Sequence, residues 1–245
     1  MQYAASIVRD SMDVYSALVR AVQTEYDTVR LLKESARGRV ALVRRRSSGE
    51  RYIFRQFEGG GGVYRRLLEV TNPHLPVIYE AGSLSGRTAV LEEYVRGDTL
   101  AFLLEAGELG VREARDIARQ LCEALWVLHS MGAVHRDIKP ENVLLRGSEA
   151  VLIDFDAARF FRPGRDEDTQ VLGTTGYAAP EQYGLAQSDA RADIYSLGVL
   201  LNVMLTRRHP SRVTAPGRMG RIVQKCTMIN PERRYQSALD LMEAL

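Results

Sequence analysis

Four side chains in the run HRDIKPENVLLRGSEAVLIDFD are of the types that transfer of a phosphoryl group requires. They are Asp137, Lys139, Asn142 and Asp154. A carboxylate can orient a hydroxyl and take up its proton, and an ammonium can balance phosphate charge. Amide and carboxylate oxygens are the hard ligands that Mg²⁺ prefers. These residue types are therefore the ones that a phosphoryl-transfer site would need.

The segment HRDIKPEN resembles the catalytic loop of the eukaryotic-like protein kinase family. Further motifs of that family follow in order, namely IDFD, GTTGYAAPEQ, DIYSLG and PERRYQS, and the resemblance covers residues 31–245. The segment APEQYGLAQSDARADIYSLGVLLNVML is similar to the corresponding segment of bacterial Ser/Thr kinases of the Firmicutes type. The resemblance implies a two-lobed protein-kinase fold of the α+β class, with ATP and Mg²⁺, or Mn²⁺ in its place, as cofactors.

The resemblance also assigns roles within the motifs. Asp137 would orient the substrate hydroxyl and accept its proton, Lys139 would stand beside the γ-phosphate, and Asn142 and Asp154 would hold the metal. Thr174, in GTTGY, matches a threonine that hydrogen-bonds the catalytic aspartate and lysine and favours hydroxyl substrates. These five residues form the predicted catalytic set.

Architectural roles fall to a second group, which consists of His135, Phe155, Glu181, Asp193 and Arg234. By the resemblance, His135 and Phe155 are half-buried supports. Asp193 would hold the backbone of the catalytic loop, and Glu181 would pair with Arg234. For His135, Phe155, Asp193 and Glu181, the structural interpretation is the leading one.

A possible regulatory feature adjoins the catalytic aspartate. Arg136 suggests a basic pocket for a phosphorylated activation segment, because phosphate binds well to clustered arginines. Thr169 and Thr175 are the candidate acceptors of that phosphate.

The predicted nucleotide loop departs from the family pattern. It reads KESARG, so that Lys33 and Ser35 stand where the first two glycines would be, and Gly38 is retained. Glycines at such positions let backbone amides approach phosphates closely, whereas side chains hold the loop further away. Lys33 could itself reach a phosphate.

A second departure concerns the phosphate-binding lysine of the family, which is replaced by Arg55 in RYIFR. Arginine keeps the charge but is larger and forked. In the family, a glutamate of the following helix pairs with that lysine. Gly62 or Val63 occupies the position of this glutamate here, so both members of the usual Lys–Glu pair are missing. Glu92 could supply the counter-charge from the neighbouring strand, and the alternative is that Glu92 faces solvent in a shifted register. We predict the Arg55–Glu92 pair.

The remaining predicted nucleotide contacts come from the resemblance alone, and they are Val40, Glu93, Val95 and Leu144. Asp156 stands where the family has a glycine. Aspartate tolerates the left-handed backbone region better than most residues, so we interpret Asp156 as a conformational replacement rather than as a metal ligand.

The elements that must position these residues change in character along the chain. Short β-type runs predict a small antiparallel sheet with one short helix, and these runs are Arg39–Val43, Arg51–Phe54 and Thr88–Val95. From Thr99 onward helical periodicity dominates, interrupted by a predicted strand pair, NVLL and AVLID. Helices are predicted in VREARDIARQLCEALWVLHSMG and near Asp193, Met219 and Ser237.

We therefore predict an N-lobe at residues 29–94 and a mainly helical C-lobe at residues 95–245. Residues 1–28 would be an added N-terminal helix with a packing face of Tyr15, Leu18, Val19 and Val22.

Composition excludes several classes of protein. Of 245 residues, 45% are apolar and 26% charged, as is usual for a soluble globular chain. The net charge of +2 argues against a nucleic-acid or anionic-membrane partner. Cys122 and Cys226 have no metal or disulfide spacing, and no apolar run approaches the ~20 residues of a membrane span. These features predict a cytoplasmic protein without membrane insertion.

Two functions remain open. The first is an ATP-dependent protein Ser/Thr kinase, with protein substrates and possible self-phosphorylation. The alternative is a pseudokinase that serves as a nucleotide- or partner-binding scaffold. Only three of the 33 basic residues are lysines, and one of them is Lys139, which favours the enzyme. A small-molecule phosphotransferase is disfavoured, because GTTGYAAPE and Arg136 resemble protein-substrate kinases.

Overall fold

A computed structural model describes residues 10–161, 174–183 and 188–245. The chain divides into two compact units. The first extends to Asn72 and includes Pro76–Val95, and the second contains Pro73–Leu75 and Arg96–Leu245.

The first unit is built on a five-stranded antiparallel sheet with the strand order β1-β2-β3-β5-β4. Its elements are helix α1 (Asp10–Glu25), strands β1 (Tyr26–Ser35), β2 (Gly38–Arg45) and β3 (Arg51–Glu58), helix α2 (Gly62–Leu67), and strands β4 (Ile78–Leu84) and β5 (Arg87–Glu93). The three β-type runs found in the sequence correspond to β2, β3 and β5. Strands β1 and β4 were not predicted from the sequence. For β1 the reason is that it has no buried residue and two register shifts, which hide its alternation.

The two faces of this sheet carry different residues, since successive side chains of a strand point to opposite sides. One face is covered by α1, whose Leu18 and Val22 are buried with Ala41, Val43 and Phe54 of the sheet. The register places Val40 of β2 opposite Arg55 of β3, and both lie on the other face. We call these the helix face and the open face.

Helix α1 approaches strand β4 at backbone distance. A Cβ added to Gly82 would lie 2.5 Å from the backbone nitrogen of Tyr15, so no larger residue fits there without movement. The helix ends earlier than the predicted extension. Strand β1 already begins at Tyr26, because Tyr26 pairs with Arg45 of β2.

The second unit is mainly helical. Its helices are α3 (Leu100–Ala106), α4 (Val111–Ser130), α5 (Ala190–Thr206), α6 (Gly217–Cys226) and α7 (Ala238–Ala244). Its short strands are β6 (Asp98–Thr99), β7 (Ala133–Val134), β8 (Val143–Arg146), β9 (Glu149–Leu152) and β10 (Arg159–Phe160), which form the sheets β6-β8-β9 and β7-β10. Three 3₁₀ turns lie at Pro140–Asn142, Pro180–Tyr183 and Pro231–Arg233.

The predicted α+β class is confirmed, with a sheet-based first unit and a helical second unit. The apolar stripe of α4 is buried as its periodicity predicted, and NVLL and AVLID pair as β8 and β9. Within the described ranges, no helix is both long enough and apolar enough to span a bilayer.

Candidate active site

Asp137 lies in a closed hydrogen-bond network in the second unit. Its Oδ1 accepts a hydrogen bond from Thr174 Oγ1 at 2.7 Å, and its Oδ2 lies 2.7 Å from Lys139 Nζ. Lys139 Nζ also donates to Thr174 Oγ1 at 2.7 Å, which closes a triangle of three side chains. Asn142 Nδ2 donates to Asp137 Oδ2 at 2.9 Å and to its carbonyl oxygen at 2.8 Å. The structure thus brings together four of the five predicted catalytic residues.

The fifth, Asp154, lies next to this network in the chain fold. The amide of Ile153 donates to the carbonyl oxygen of Asn142 at 2.9 Å, which sets Asp154 beside Asn142. Because Asn142 Nδ2 is committed to Asp137, the side-chain oxygen is the atom left to bind a cation. Asp154 adopts φ 68°, a conformation that is uncommon for residues other than glycine and is concentrated at functional sites.

The side-chain oxygens of Asn142 and Asp154 determine what kind of metal ion this site could bind. Among the described residues, no group of three or more His, Cys, Asp or Glu side chains could hold a metal ion. One carboxylate and one amide oxygen are too few for a permanent site. They fit Mg²⁺ that arrives with nucleotide phosphates, since this ion keeps waters and takes one or two protein oxygens.

The interpretation of Asp156 needs correction. The left-handed residue of this segment is Asp154, and Asp156 is not among the residues with positive φ. The amide of Asp156 points at Asp154 Oδ1, with a separation of 3.5 Å, and its carbonyl oxygen accepts from Arg159 Nη1 at 2.9 Å. Position 156 is therefore part of the turn that orients Asp154, rather than a replacement for a left-handed glycine.

Asp193, at the start of α5, holds the backbone of the catalytic loop through hydrogen bonds to its carboxylate. Its Oδ2 accepts from the amide of His135 and its Oδ1 from the amide of Arg136, both at 2.8 Å. His129 Nε2 lies 2.9 Å from Oδ2. Burial alone would raise the pKa of Asp193, but the hydrogen bond from His129 and the charges and amide nearby hold it below the usual aspartate range. Sequence reasoning missed His129, although a histidine near the end of a helix before HRD could have suggested it.

His135 and Phe155 occupy buried, supporting positions. Their rings meet edge to face, with centroids 5.4 Å apart. The amide of Asp137 lies 3.3 Å from His135 Nδ1, so that nitrogen is the acceptor and Nε2 carries the proton toward the carbonyl oxygen of Ile153. The ring therefore links the loop before Asp137 to the strand before Asp154.

Glu181 and Arg234 form a bidentate ion pair. The two guanidinium nitrogens lie 2.6 and 2.9 Å from the two carboxylate oxygens, and the side chain of Arg234 is fully buried. The neighbouring Gln182, which sequence reasoning did not single out, donates from Nε2 to the carbonyl oxygen of Arg136 at 2.9 Å. This contact ties the segment after Thr174 to the catalytic loop.

Arg136 lies in the catalytic loop, and Arg159 lies on β10, where it pairs with Val134 just before that loop. Arg136 is buried and has φ 70°. Burial lowers the pKa of Arg159, and the positive charge of Arg136 lowers it further. Of the two candidate phosphate acceptors, Thr175 is exposed, and Thr169 lies outside the described residues.

The predicted pair of Arg55 and Glu92 is formed in the first unit. Arg55 Nε and Nη2 lie 2.9 and 2.8 Å from Glu92 Oε1, and both side chains are only 4% exposed. The register places Glu92 opposite Ile53, two residues from Arg55 on the same face, which makes the contact a diagonal one. The alternative of a solvent-facing Glu92 is wrong.

The α2 residue that meets Arg55 was not predicted. The expected position of the helix partner was Gly62 or Val63, but the guanidinium lies 5.7 Å from the ring centroid of Tyr64. An aromatic face attracts a cation through the negative charge of its π-system. Tyr64 and Glu92 thus hold Arg55 from two sides.

The predicted nucleotide loop is a tight β1–β2 hairpin in which Ser35 pairs with Gly38. A Cβ on Gly38 would lie 2.3 Å from the carbonyl oxygen of Gln56, so packing against β3 already requires glycine there. Glu93 ends β5, where its amide donates to the carbonyl oxygen of Val77, and Val95 is buried just beyond it. Leu144 lies on β8 of the second unit.

Comparisons with known proteins agree with this architecture. The family described as "Protein kinase domain" matches residues 65–244. The chain is 36% identical over 154 residues to the serine/threonine-protein kinase pkn2 of Myxococcus xanthus. This match covers 60% of this chain and 19% of the relative. It is 33% identical over 199 residues to PknD of Mycobacterium tuberculosis, covering 70% and 30%. With serine/threonine-protein kinase D of Synechocystis it shares 30% identity over 198 residues, covering 71% and 38%.

The chain thus spans well under half the length of these curated relatives. The family match nevertheless covers most of the chain and contains the whole network around Asp137. The chain belongs to the protein kinase domain family, among its bacterial serine/threonine kinase members.

Proposed function

We propose that this chain transfers the γ-phosphate of ATP to serine or threonine hydroxyls of proteins. The observation that carries the proposal is the triangle of Asp137, Lys139 and Thr174, with three contacts of 2.7 Å. A carboxylate, an ammonium and a hydroxyl held at this distance are organised for acid–base work on a hydroxyl substrate. Asp137 and Lys139 are about one fifth exposed, so a substrate can reach them.

In the proposed reaction the substrate hydroxyl attacks the γ-phosphorus of ATP. The new O–P bond forms while the bond between the γ-phosphorus and the oxygen of ADP breaks, and the hydroxyl proton passes to Asp137. Lys139 balances charge on the transferred group, and Thr174 fixes the orientation of both side chains. Little covalent chemistry is asked of the protein, because alignment and charge stabilisation dominate such transfers.

A divalent metal, Mg²⁺ or Mn²⁺, would be held by Asn142 and Asp154 and would neutralise phosphate charge. The family resemblance suggests further nucleotide contacts at Lys33, Gly38, Val40, Glu93, Val95 and Leu144, and it makes Arg55 the equivalent of the phosphate-binding lysine.

Regulation by phosphate is part of the proposal. A phosphate on Thr175 or Thr169 would attract both Arg136 and Arg159 and would offset the repulsion between two positive charges. Self-phosphorylation of this segment would then favour the active arrangement of the catalytic loop.

A direct test is transfer of label from γ-labelled ATP to a generic protein and to the chain itself. We expect label on serine and threonine in the presence of Mg²⁺, and its loss in excess chelator. ATP binding without any transfer, with Mg²⁺ or Mn²⁺ present, would overturn the proposal.

A second candidate function is favoured by one specific observation. The β1–β2 hairpin carries Lys33 and Ser35 where phosphate-binding glycines would lie, and Gly38 is explained by packing against β3. A chain that binds partners or nucleotide without turnover would need no better loop than this. The transfer experiment separates this scaffold function from catalysis.

A further inference from the structure

Strand β1 contains an irregularity that determines where Lys33 lies. Leu31 pairs with Ala41 and Lys33 pairs with Val40, so three residues of β1 span two residues of β2. The extra residue, Leu32, is 46% exposed. A bulge of this kind moves the following side chain to the opposite face, and bulges are enriched beside active sites.

The effect of this bulge is to place a cation on the open face. In a regular ladder from the Leu31–Ala41 pair, Leu32 would pair with Val40, and Lys33 would lie on the helix face. With it, Lys33, Val40, Arg55 and Val90 form one cross-strand row on the same face. Lys33 is exposed at the edge of the sheet, and Arg55 is buried in its centre.

Arg55 is already engaged in structural contacts. Its Nε and Nη2 both meet Glu92 Oε1, and its guanidinium lies over the Tyr64 ring. Tyr64 is itself almost fully buried and packs on Phe57, with ring centroids 5.7 Å apart. Turning the guanidinium toward a phosphate would weaken a buried ion pair, which is unfavourable when the carboxylate stays behind.

We propose that Lys33 and Arg55, which share one cross-strand row of the open face, have different roles, so that Lys33 contacts the nucleotide phosphates and Arg55 fixes the sheet and α2. This inference rests on the proposed ATP-dependent function. In this assignment the phosphate-binding cation is Lys33 of the β1–β2 hairpin rather than Arg55 of β3. Lysine suits that role, because its ammonium is a compact charge on a flexible stem and can follow a phosphate.

The test compares the affinities of the whole chain for MgATP and for adenosine, which has no phosphate. Lys33→Met should weaken MgATP binding by about tenfold to a hundredfold, the loss expected for one charged hydrogen bond, and leave adenosine binding unchanged. Lys33→Arg should restore most of the MgATP affinity.

Two further variants serve as matched controls. Arg39→Met removes one positive charge from the same hairpin, but Arg39 lines a cleft of about 500 Å³ on the helix face, so MgATP affinity should not change. Arg55→Met should lower the thermal midpoint and weaken MgATP and adenosine binding in the same proportion. Failure of this variant to fold would also support the structural role of Arg55.

Three results would overturn the assignment. MgATP affinity could be unchanged in Lys33→Met, adenosine binding could fall as much as MgATP binding, or a folded Arg55→Met could lose MgATP affinity alone. Wild-type protein that binds no ATP would overturn both this inference and the proposed function. ATP-dependent transfer with an unaffected Lys33→Met would overturn only this assignment of roles.

Discussion

Asp137 is the residue on which the proposed chemistry depends. Thr174, Lys139 and Asn142 each contact its carboxylate within 2.9 Å, so its orientation is set before any substrate binds. Preorganisation of this kind matters more than affinity for the ground state, because only interactions that improve in the transition state increase the rate.

Asp137→Asn should therefore reduce phosphoryl transfer by about 10² to 10⁴, the usual contribution of general acid–base catalysis, while ATP affinity stays nearly unchanged. Steady-state transfer of labelled phosphate and an ATP titration measure the two effects. Asp116→Asn, an exposed change on α4, is the matched control. Activity retained in Asp137→Asn would show that another mechanism, or a contaminant, produced the label.

Glu92→Gln should destabilise the first unit more than Glu93→Gln does. Loss of one partner from a buried ion pair commonly costs about 3 to 5 kcal/mol, because the other charge stays buried without its counter-charge. Glu93 lies at the end of the strand, and its Oε2 accepts a 3.2 Å hydrogen bond from the amide of Val77, which a glutamine can keep. Urea unfolding of the two variants gives the comparison, and equal losses would contradict the central role of the Arg55–Glu92 pair.

At the scale of elements, two contacts determine whether the functional residues are held in place. One is the packing of α1 on the helix face of the sheet, and the other is the anchoring of the catalytic loop by α5. Each contact joins residues that are far apart in sequence. The first depends on the small residue Gly82, and the second depends on the charged residue Asp193.

Gly82→Ala should loosen α1 from β4. The added Cβ would meet backbone atoms of Val14 and Tyr15 at 2.5 to 2.8 Å, so the helix must move, and such overpacking typically costs about 1 to 3 kcal/mol. The free energy of unfolding and the protease sensitivity of α1 measure the effect. Gly60→Ala is the control, because a Cβ there meets nothing within 4 Å. Equal stability of the two variants would refute the close contact.

Asp193→Asn should destabilise the second unit in a pH-dependent way. The folded-state pKa of Asp193 is lowered, so its stabilisation is fully present above the unfolded-state pKa and is lost as pH falls through the folded-state pKa. At neutral pH the variant should lose about 1 to 3 kcal/mol, since buried amide donors lose a carboxylate acceptor. Urea unfolding at a series of acidic pH values should show this difference shrinking. A difference that grows as pH falls would contradict the assignment.

At the scale of the whole molecule, the two units differ in how much of the proposed machinery they keep. The second retains all five predicted catalytic residues, four of them in one hydrogen-bond network, whereas the first lacks both the glycine loop and the Lys–Glu pair of the family. Nucleotide binding should therefore depend on the metal and on side-chain cations more than on backbone amides.

We expect chelation of Mg²⁺ to weaken ATP binding by at least about tenfold, equivalent to ~1.4 kcal/mol, because few backbone donors remain to hold the phosphates. Adenosine binding should be insensitive to the metal and is the internal control. Calorimetric titration with Mg²⁺ and with chelator measures both. Equal ATP affinity in the two conditions would count against the metal-dependent mode and would favour the scaffold function.

Local spacing in the sequence determined much of this picture. The catalytic residues from Asp137 to Asp154 lie in one loop and the hairpin after it, so their order along the chain almost specifies their neighbourhood. The buried stripe of α4 followed from helical periodicity. Arg55 and Glu92 could be paired in advance because adjacent antiparallel strands bring alternate residues onto the same face.

Only the tertiary structure decided the remaining features, because each depends on residues that are distant in sequence or on one irregular backbone position. Tyr64, rather than an acid, meets Arg55, and the left-handed residue is Asp154 instead of Asp156. The bulge at Leu32 reverses the face on which Lys33 lies, and alternation read from the sequence cannot reveal a bulge. The physical reason is that strand pairing forms through long-range contacts, whereas the features predicted from the sequence depend on local spacing.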